Sequence, residues 1–257
     1  MAEALNEFFT GVFTREAPGP VPTCPRLPST TNLNNIVFYT SDVKKKILKL
    51  KPDSAPGPDK MTARFLIMNA DAMAPALTTI FNKSMQTGVV PDDWKEANVT
   101  PIYKKGTKAS PGNYRPVSLT SIPCRLMESG MRDAIVDHLV NNALIKDTQH
   151  GFMRRKSCTT NLLEFLEKLT AQQDQGKAVD VIYLDFAKAF DKVPHRRLLE
   201  KIKAHNIEDK VLNWLEDWLA NRKQRTVLNG VASEWTDVLS GVPQGSVLWA
   251  TGLYYLH

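Results

Sequence analysis

Residues 179–186 read VDVIYLDF, an alternating run rich in β-branched residues that ends on a carboxylate, Asp185. Side chains stiff at χ1 suit a pleated strand, and successive residues of a strand point to opposite faces. Val179, Val181, Tyr183 and Asp185 would then share one face, and Ile182, Leu184 and Phe186 the other. Such a run predicts a buried strand, and a buried strand requires neighbouring strands for its backbone groups. The chain must therefore build a sheet.

What surrounds it is mostly helical. Residues 4–13 carry apolar side chains at helical spacing, and five prolines between 17 and 35 predict an extended linker. SDVKKKILKL predicts a helix capped by Ser41, with Val43, Ile47 and Leu50 on one face, stopped by Pro52, Pro56 and Pro58. A helical stretch then runs to about Gln86 and ends at Gly88, followed by a strand at 97–103 and a strand or extended segment in PGNYRPVSLT. Helices are expected from Cys124 to about 140, over TNLLEFLEKLTAQQDQG, after Pro194, and over DKVLNWLEDWLANR. QRTVLNGVASEWTDV predicts a hairpin turning at Asn229–Gly230. The order is α+β, with no repeating βαβ unit.

An apolar content of 42% and a charged content of 23% are those of an ordinary globular protein. Lysine and arginine exceed the acids by six, and the excess is clustered in KKKILKLK, KKGTK, MRRK, HRR and RKQR, which points to several contacts with a polyanion. Three scattered cysteines, with no CxxC pair and no zinc-finger spacing to histidine, predict reduced thiols in the cytoplasm or nucleus. The start lacks a signal-peptide pattern and no apolar run approaches a membrane span, so secretion and membrane partnership are not expected.

A carboxylate at the end of a packed strand is a rigid ligand for Mg²⁺, which takes hard oxygen donors and needs few protein groups when substrate phosphates complete its shell. The competing reading makes Asp185 the cap of a helix starting at Phe186. Asp191, ahead of Pro194 and its helix, is the stronger cap candidate.

YLDFAKAFDKVPH resembles the first catalytic motif of reverse transcriptases, in the form carried by non-LTR (LINE-type) retrotransposons. Four further segments are similar to that family and stand in its order: LKPDSAPGPDKM at 50–61, PIYKKGTKASPGNYRPVSLT at 101–120, QHGFMRRKSC at 149–158 and GVPQGSVL at 241–248. The resemblance implies right-hand polymerase architecture, with an N-terminal helix and proline-rich linker over 1–40, fingers over 41–178, an incomplete palm over 179–257 and no thumb. It implies RNA-directed DNA polymerisation on an RNA template with a DNA primer and dNTP. Asp185 and the backbone carbonyl of Phe186 would hold two Mg²⁺ ions. Phe190 would be the steric gate against ribose, Arg115 the triphosphate clamp, and Lys104 or Lys105 the contact on the γ-phosphate side. Gln244 would face the nascent pair, with Ser246 capping the helix beyond. Arg154, Arg155 and Lys156 would track nucleic-acid backbone.

The family's paired aspartates have no counterpart after GVPQGSVL, since the last acid is Asp237, and the adjacent pair Asp92–Asp93 sits in a proline-started turn. One carboxylate cannot hold two cations against their repulsion. The expectation is therefore a chain without polymerase activity by itself, or, alternatively, a non-catalytic RNA/DNA-binding remnant. ALNEFF and the proline-rich stretch look like the middle of a longer polyprotein.

Overall fold

The computed structural model describes residues 1–151, 153, 155–185 and 187–248. Helix α1 covers Ala2–Thr10, α2 Thr40–Leu48, α3 Ala63–Met68 and α4 Ala70–Thr87; strand β1 follows at Glu96–Tyr103 and β2 at Tyr114–Leu119. The second half carries α5 (Ile122–Asn141), α6 (Cys158–Asp174), α7 (His195–Ala204) and α8 (Asp209–Leu219), then β3 (Lys223–Leu228), β4 (Val231–Ala232) and β5 (Thr236–Asp237). The mixed composition is the expected α+β. No helix among the described residues is long and apolar enough to cross a membrane.

The strands form one sheet in the order β2-β1-β3-β4, with β5 also on β3. β1 pairs antiparallel with β2, Asn98 opposite Leu119, and parallel with β3, Glu96 opposite Lys223. The hairpin at 229–230 forms as expected: Leu228 faces Val231, and Asn229 and Gly230 both take positive φ, the geometry a two-residue turn demands.

On one side, Ala97 and Val99 of β1 turn inward, and α1 seats Leu5 and Phe9 against Val99. Asn6 fixes α1 in place by donating to Thr236 Oγ1 (2.8 Å) and accepting from Thr226 Oγ1 (3.2 Å). The main core runs from Ile36 to Leu248 and joins α2, α4, α5, α7 and α8. Trp214 and Trp218 of α8 stack at 6.3 Å within it, and Trp214 Nε1 donates to Ser84 Oγ (2.8 Å), which satisfies the indole that burial would otherwise leave unpaired. Lys95, nearly buried, pairs with Asp217 at 2.9 Å, and Asp217 also accepts from Val90 N (2.7 Å). That carboxylate ties the start of β1 to α8.

Three local expectations change. α2 begins at Thr40, after Tyr39 and without a side-chain cap, so Ser41 lies inside the first turn. The helical stretch after 62 is two helices hinged at Asn69, whose side chain donates back to Phe65 O (2.8 Å) and stops α3. The third is the largest. Residues 179–185, the described part of the run expected as a strand, have no ladder. Among the described residues no strand pairs with them. Ile182 and Leu184 stand 82% and 88% exposed.

The proline-rich stretch has no helix, as expected, but it is not a free tether. Leu27 N donates to Ala204 O and Glu208 N to Leu33 O, while Asn206 Nδ2 donates to Leu27 O. These bonds lay the segment across the α7–α8 turn.

Candidate functional site

The frame is built by four hydrogen bonds between the turn after Asp185 and the loop at 240–244. Val242 N donates to Phe190 O (2.8 Å), Gly241 N to Val193 O (2.8 Å), and Ser240 Oγ to Asp191 O (2.8 Å). His195 Nε2 donates to Gly241 O (2.7 Å), which places its proton on Nε2. Burial holds the His195 imidazole below the usual histidine range, so it enters this contact neutral. Gly241 has φ +80, and a Cβ there would stand 2.6 Å from the carbonyl oxygens of Phe190 and Asp191. Only glycine allows this approach.

From there the loop crosses to the β1–β2 hairpin. Ser118 N of β2 donates to Gln244 O (2.8 Å), and Gly245, at φ +130, lies so close that a Cβ would meet Ser118 O at 2.7 Å. Ser246 then accepts from Leu248 N (3.3 Å), the capping role expected of it. The two sequence segments carrying Phe190 and Gln244 are thus fastened to each other, and Gln244 to the strand that carries Arg115.

Arg115 is exposed on β2, opposite Ile102, three residues before Ser118. Lys104 and Lys105 are exposed in the turn at the end of the same hairpin, where Lys104 N donates to Asn113 O (2.8 Å) and the rings of Tyr103 and Tyr114 meet edge to face. One hairpin therefore presents four cations, Lys108 lying over the Tyr103 ring at 5.7 Å. Phe190 is half-buried against the main core. Beneath the loop lies a small cleft of about 30 Å³, lined by Phe13, Pro116, Ser118, Asp191, Gln224 and Gln244 among others. Burial raises the Asp191 carboxyl above the ordinary range, and the Lys188 ammonium opposes that only in part. Asp191 thus lines the floor under Gln244 instead of capping the helix: α7 follows Pro194 with no side-chain cap.

Asp185 is exposed at the end of the unpaired segment. Phe186, whose carbonyl was the other expected metal ligand, lies outside the described residues, as does Arg154. Among the described residues no three His, Cys, Asp or Glu side chains come together as a metal site. A donor set of one exposed carboxylate does not fit a pair of divalent ions, whose mutual repulsion needs several anionic ligands.

The chain ahead of the basic cluster is tied to α6. His150 contacts Thr160 Oγ1 with Nδ1 (3.0 Å) and Glu164 Oε2 with Nε2 (2.7 Å), bracing this stretch against α6. Hydrogen bonds from Lys168 and then His150 push the Glu164 carboxyl down to about 2. Lys156 donates to Asp147 O, so its ammonium is partly committed within the chain, whereas Arg155 is exposed at a positive φ. 

The residues that sequence reasoning missed are the supports: Glu128, His195, Ser118 and Ser240. Glu128 carries a readable signal, an acid on the same helical stripe as Cys124, Met131 and Ile135.

Residues 102–250 match the family described as reverse transcriptase (RNA-dependent DNA polymerase). The chain is 30% identical over 212 residues to the RNA-directed DNA polymerase from mobile element jockey of Drosophila melanogaster, covering 82% of this chain and 23% of that protein. It is 28% identical over 213 residues to the probable RNA-directed DNA polymerase from transposon X-element of the same fly, with the same coverage. It is 25% identical over 197 residues to the Pol polyprotein from type-1 retrotransposable element R2 of Popillia japonica, covering 76% of this chain and 26% of that protein. The chain thus spans about a quarter of the length of these relatives. With the match running through the β1–β2 hairpin, the Phe190 turn and the Gln244 loop, the chain belongs to the reverse transcriptase (RNA-dependent DNA polymerase) family, of the type carried by non-LTR retrotransposons.

Proposed function

We propose that this chain is the template-, primer- and nucleotide-seating part of an RNA-directed DNA polymerase. The observation that carries the reading is the hydrogen-bonded frame joining Phe190, Gln244 and the strand of Arg115. In it Arg115 takes the triphosphate of an incoming dNTP, since a guanidinium stays charged and can bind phosphate bidentately. Lys104 and Lys105 add positive charge at the hairpin end. Phe190 stands where a ring would crowd a ribose 2′-hydroxyl, and Gln244 faces the nascent pair. Arg155 offers a phosphate contact, which positions nucleic acid without reading its sequence.

Reverse transcriptases are nucleotidyltransferases that use divalent metal ions, and Mg²⁺ is the ion an oxygen donor such as Asp185 suits. Because the described donors do not fit two ions, the nucleotidyl-transfer step is not assigned to these residues.

Primer extension and binding, measured side by side, test the proposal. With an RNA template, a DNA primer, dNTP and Mg²⁺, the 257-residue chain should bind the template–primer and leave the primer unextended. Extension abolished by Asp185→Ala would show that the metal site is complete. Absence of binding would remove the proposal itself.

A further inference from the structure

The loop bearing Gln244 is held on its far side by the buried acid of the α5 stripe. Glu128 lies on α5, fully buried, and its Oε2 accepts from Ser246 Oγ at 2.6 Å and from Val247 N at 3.0 Å. Its other oxygen accepts from Cys124 Sγ at 3.3 Å. An acid in a hydrophobic core is costly unless hydrogen bonds and opposite charge surround it. Here both are present. Arg222, 2% exposed, is attracted by the Glu128 carboxylate while its guanidinium lies over the Trp218 ring at 4.4 Å and donates to Trp218 O. Arg125 also feels the Glu128 charge.

A carboxylate suits this position because it only accepts. Its two oxygens gather a hydroxyl, a backbone N–H and a thiol at once, from two segments far apart in sequence. Charge-assisted bonds of this kind are shorter and stronger than neutral ones. The loop is thus fixed at three points: by the 190–195 turn before Gln244, by Ser118 at Gln244, and by Glu128 just after it.

We propose that Glu128 is a positioning residue that sets the placement of Gln244, and through it the affinity for the incoming deoxynucleotide. This rests on the reading that Gln244 faces the nascent pair. A carboxylate that merely stabilised the core would weaken every ligand alike, or none, and would act regardless of what stands at 244.

The experiment is a dTTP titration, with Mg²⁺, of the full chain bound to an oligo(rA)–oligo(dT) template–primer, using wild type, E128Q, S246A, Q244A and E128Q/Q244A. Amide exchange over 244–247 is followed in parallel. E128Q keeps the shape and loses charge and one acceptor; S246A removes one donor and carries the same comparison should E128Q not fold. The expected result is dTTP affinity about tenfold weaker in E128Q, a change worth about 1.4 kcal/mol. S246A should weaken it several-fold, with template–primer affinity within about twofold of wild type and exchange over 244–247 faster in both. In the Q244A background, E128Q should add nothing. Wild-type dTTP affinity in folded E128Q and S246A would overturn the proposal, and so would an E128Q effect that persists undiminished in Q244A. If the wild-type chain binds no dTTP, the nucleotide reading of the site fails, and exchange alone decides whether Glu128 places the loop: faster exchange confined to 244–247 keeps that role, and unchanged exchange ends it.

Discussion

Val242 N donates to the carbonyl oxygen of Phe190 at 2.8 Å, joining across 52 positions of sequence the two segments that should flank a nucleotide. The bond requires Gly241, whose backbone passes where any Cβ would strike the carbonyls of Phe190 and Asp191 at 2.6 Å. Gly241→Ala should destabilise the chain by about 2–3 kcal/mol, through strain at positive φ and loss of the frame. Urea denaturation measures it. A change under about 0.5 kcal/mol would mean the two segments are not joined in this way.

His195 makes the frame sensitive to acid. Burial lowers its pKa from the ordinary 6.5, with the bond to Gly241 O and the carboxylate of Glu16 opposing and the charge of Arg222 reinforcing the shift. The unfolded chain therefore takes up this proton more readily than the folded one. The contribution is complete above about pH 6.5 and is lost as pH falls below it. Between pH 7.5 and 5.5 the wild type should lose more stability than His195→Gln, which keeps a donor for Gly241 O and does not titrate. Parallel losses in the two proteins would remove His195 from the explanation.

Ile182, Tyr183 and Leu184 are each at least 80% exposed, and Leu162, Leu163 and Leu166 of α6 are exposed as well. Tyr183 reaches α6 through its ring contact with Phe165 at 6.1 Å. Apolar side chains on an unpaired segment invite association. Ile182→Lys with Leu184→Lys should reduce self-association in sedimentation velocity while leaving the melting temperature within about 2 °C. Unchanged association would locate the sticky surface elsewhere.

Where the determinants are local, the sequence was legible. Asn229–Gly230 turned the β3–β4 hairpin because both residues tolerate positive φ, and the helical periodicity of α5 and α8 was read to within a few residues. The run at 179–186 was misread over its described residues because strand formation is decided by a partner, and alternating β-branched residues do not say whether one is present. The same limit hid the supports of the site. Phe190, Arg115 and Gln244 were singled out through motifs, but the bonds that join their segments are backbone contacts between residues more than 40 apart, which no periodicity encodes. Glu128 was the exception. An acid in a buried helical stripe was visible in the sequence, although its partners at 246 and 247 were not.

The most direct test of the nucleic-acid reading is the affinity of the full chain for an RNA–DNA template–primer as a function of salt, for wild type and for Arg115→Ala with Arg155→Ala. Affinity should fall steadily as salt rises, because phosphate contacts release counterions, and the double variant should bind more weakly with a shallower dependence on salt. Binding indifferent to salt, or a double variant indistinguishable from wild type, would contradict the assignment of these residues to template, primer and nucleotide.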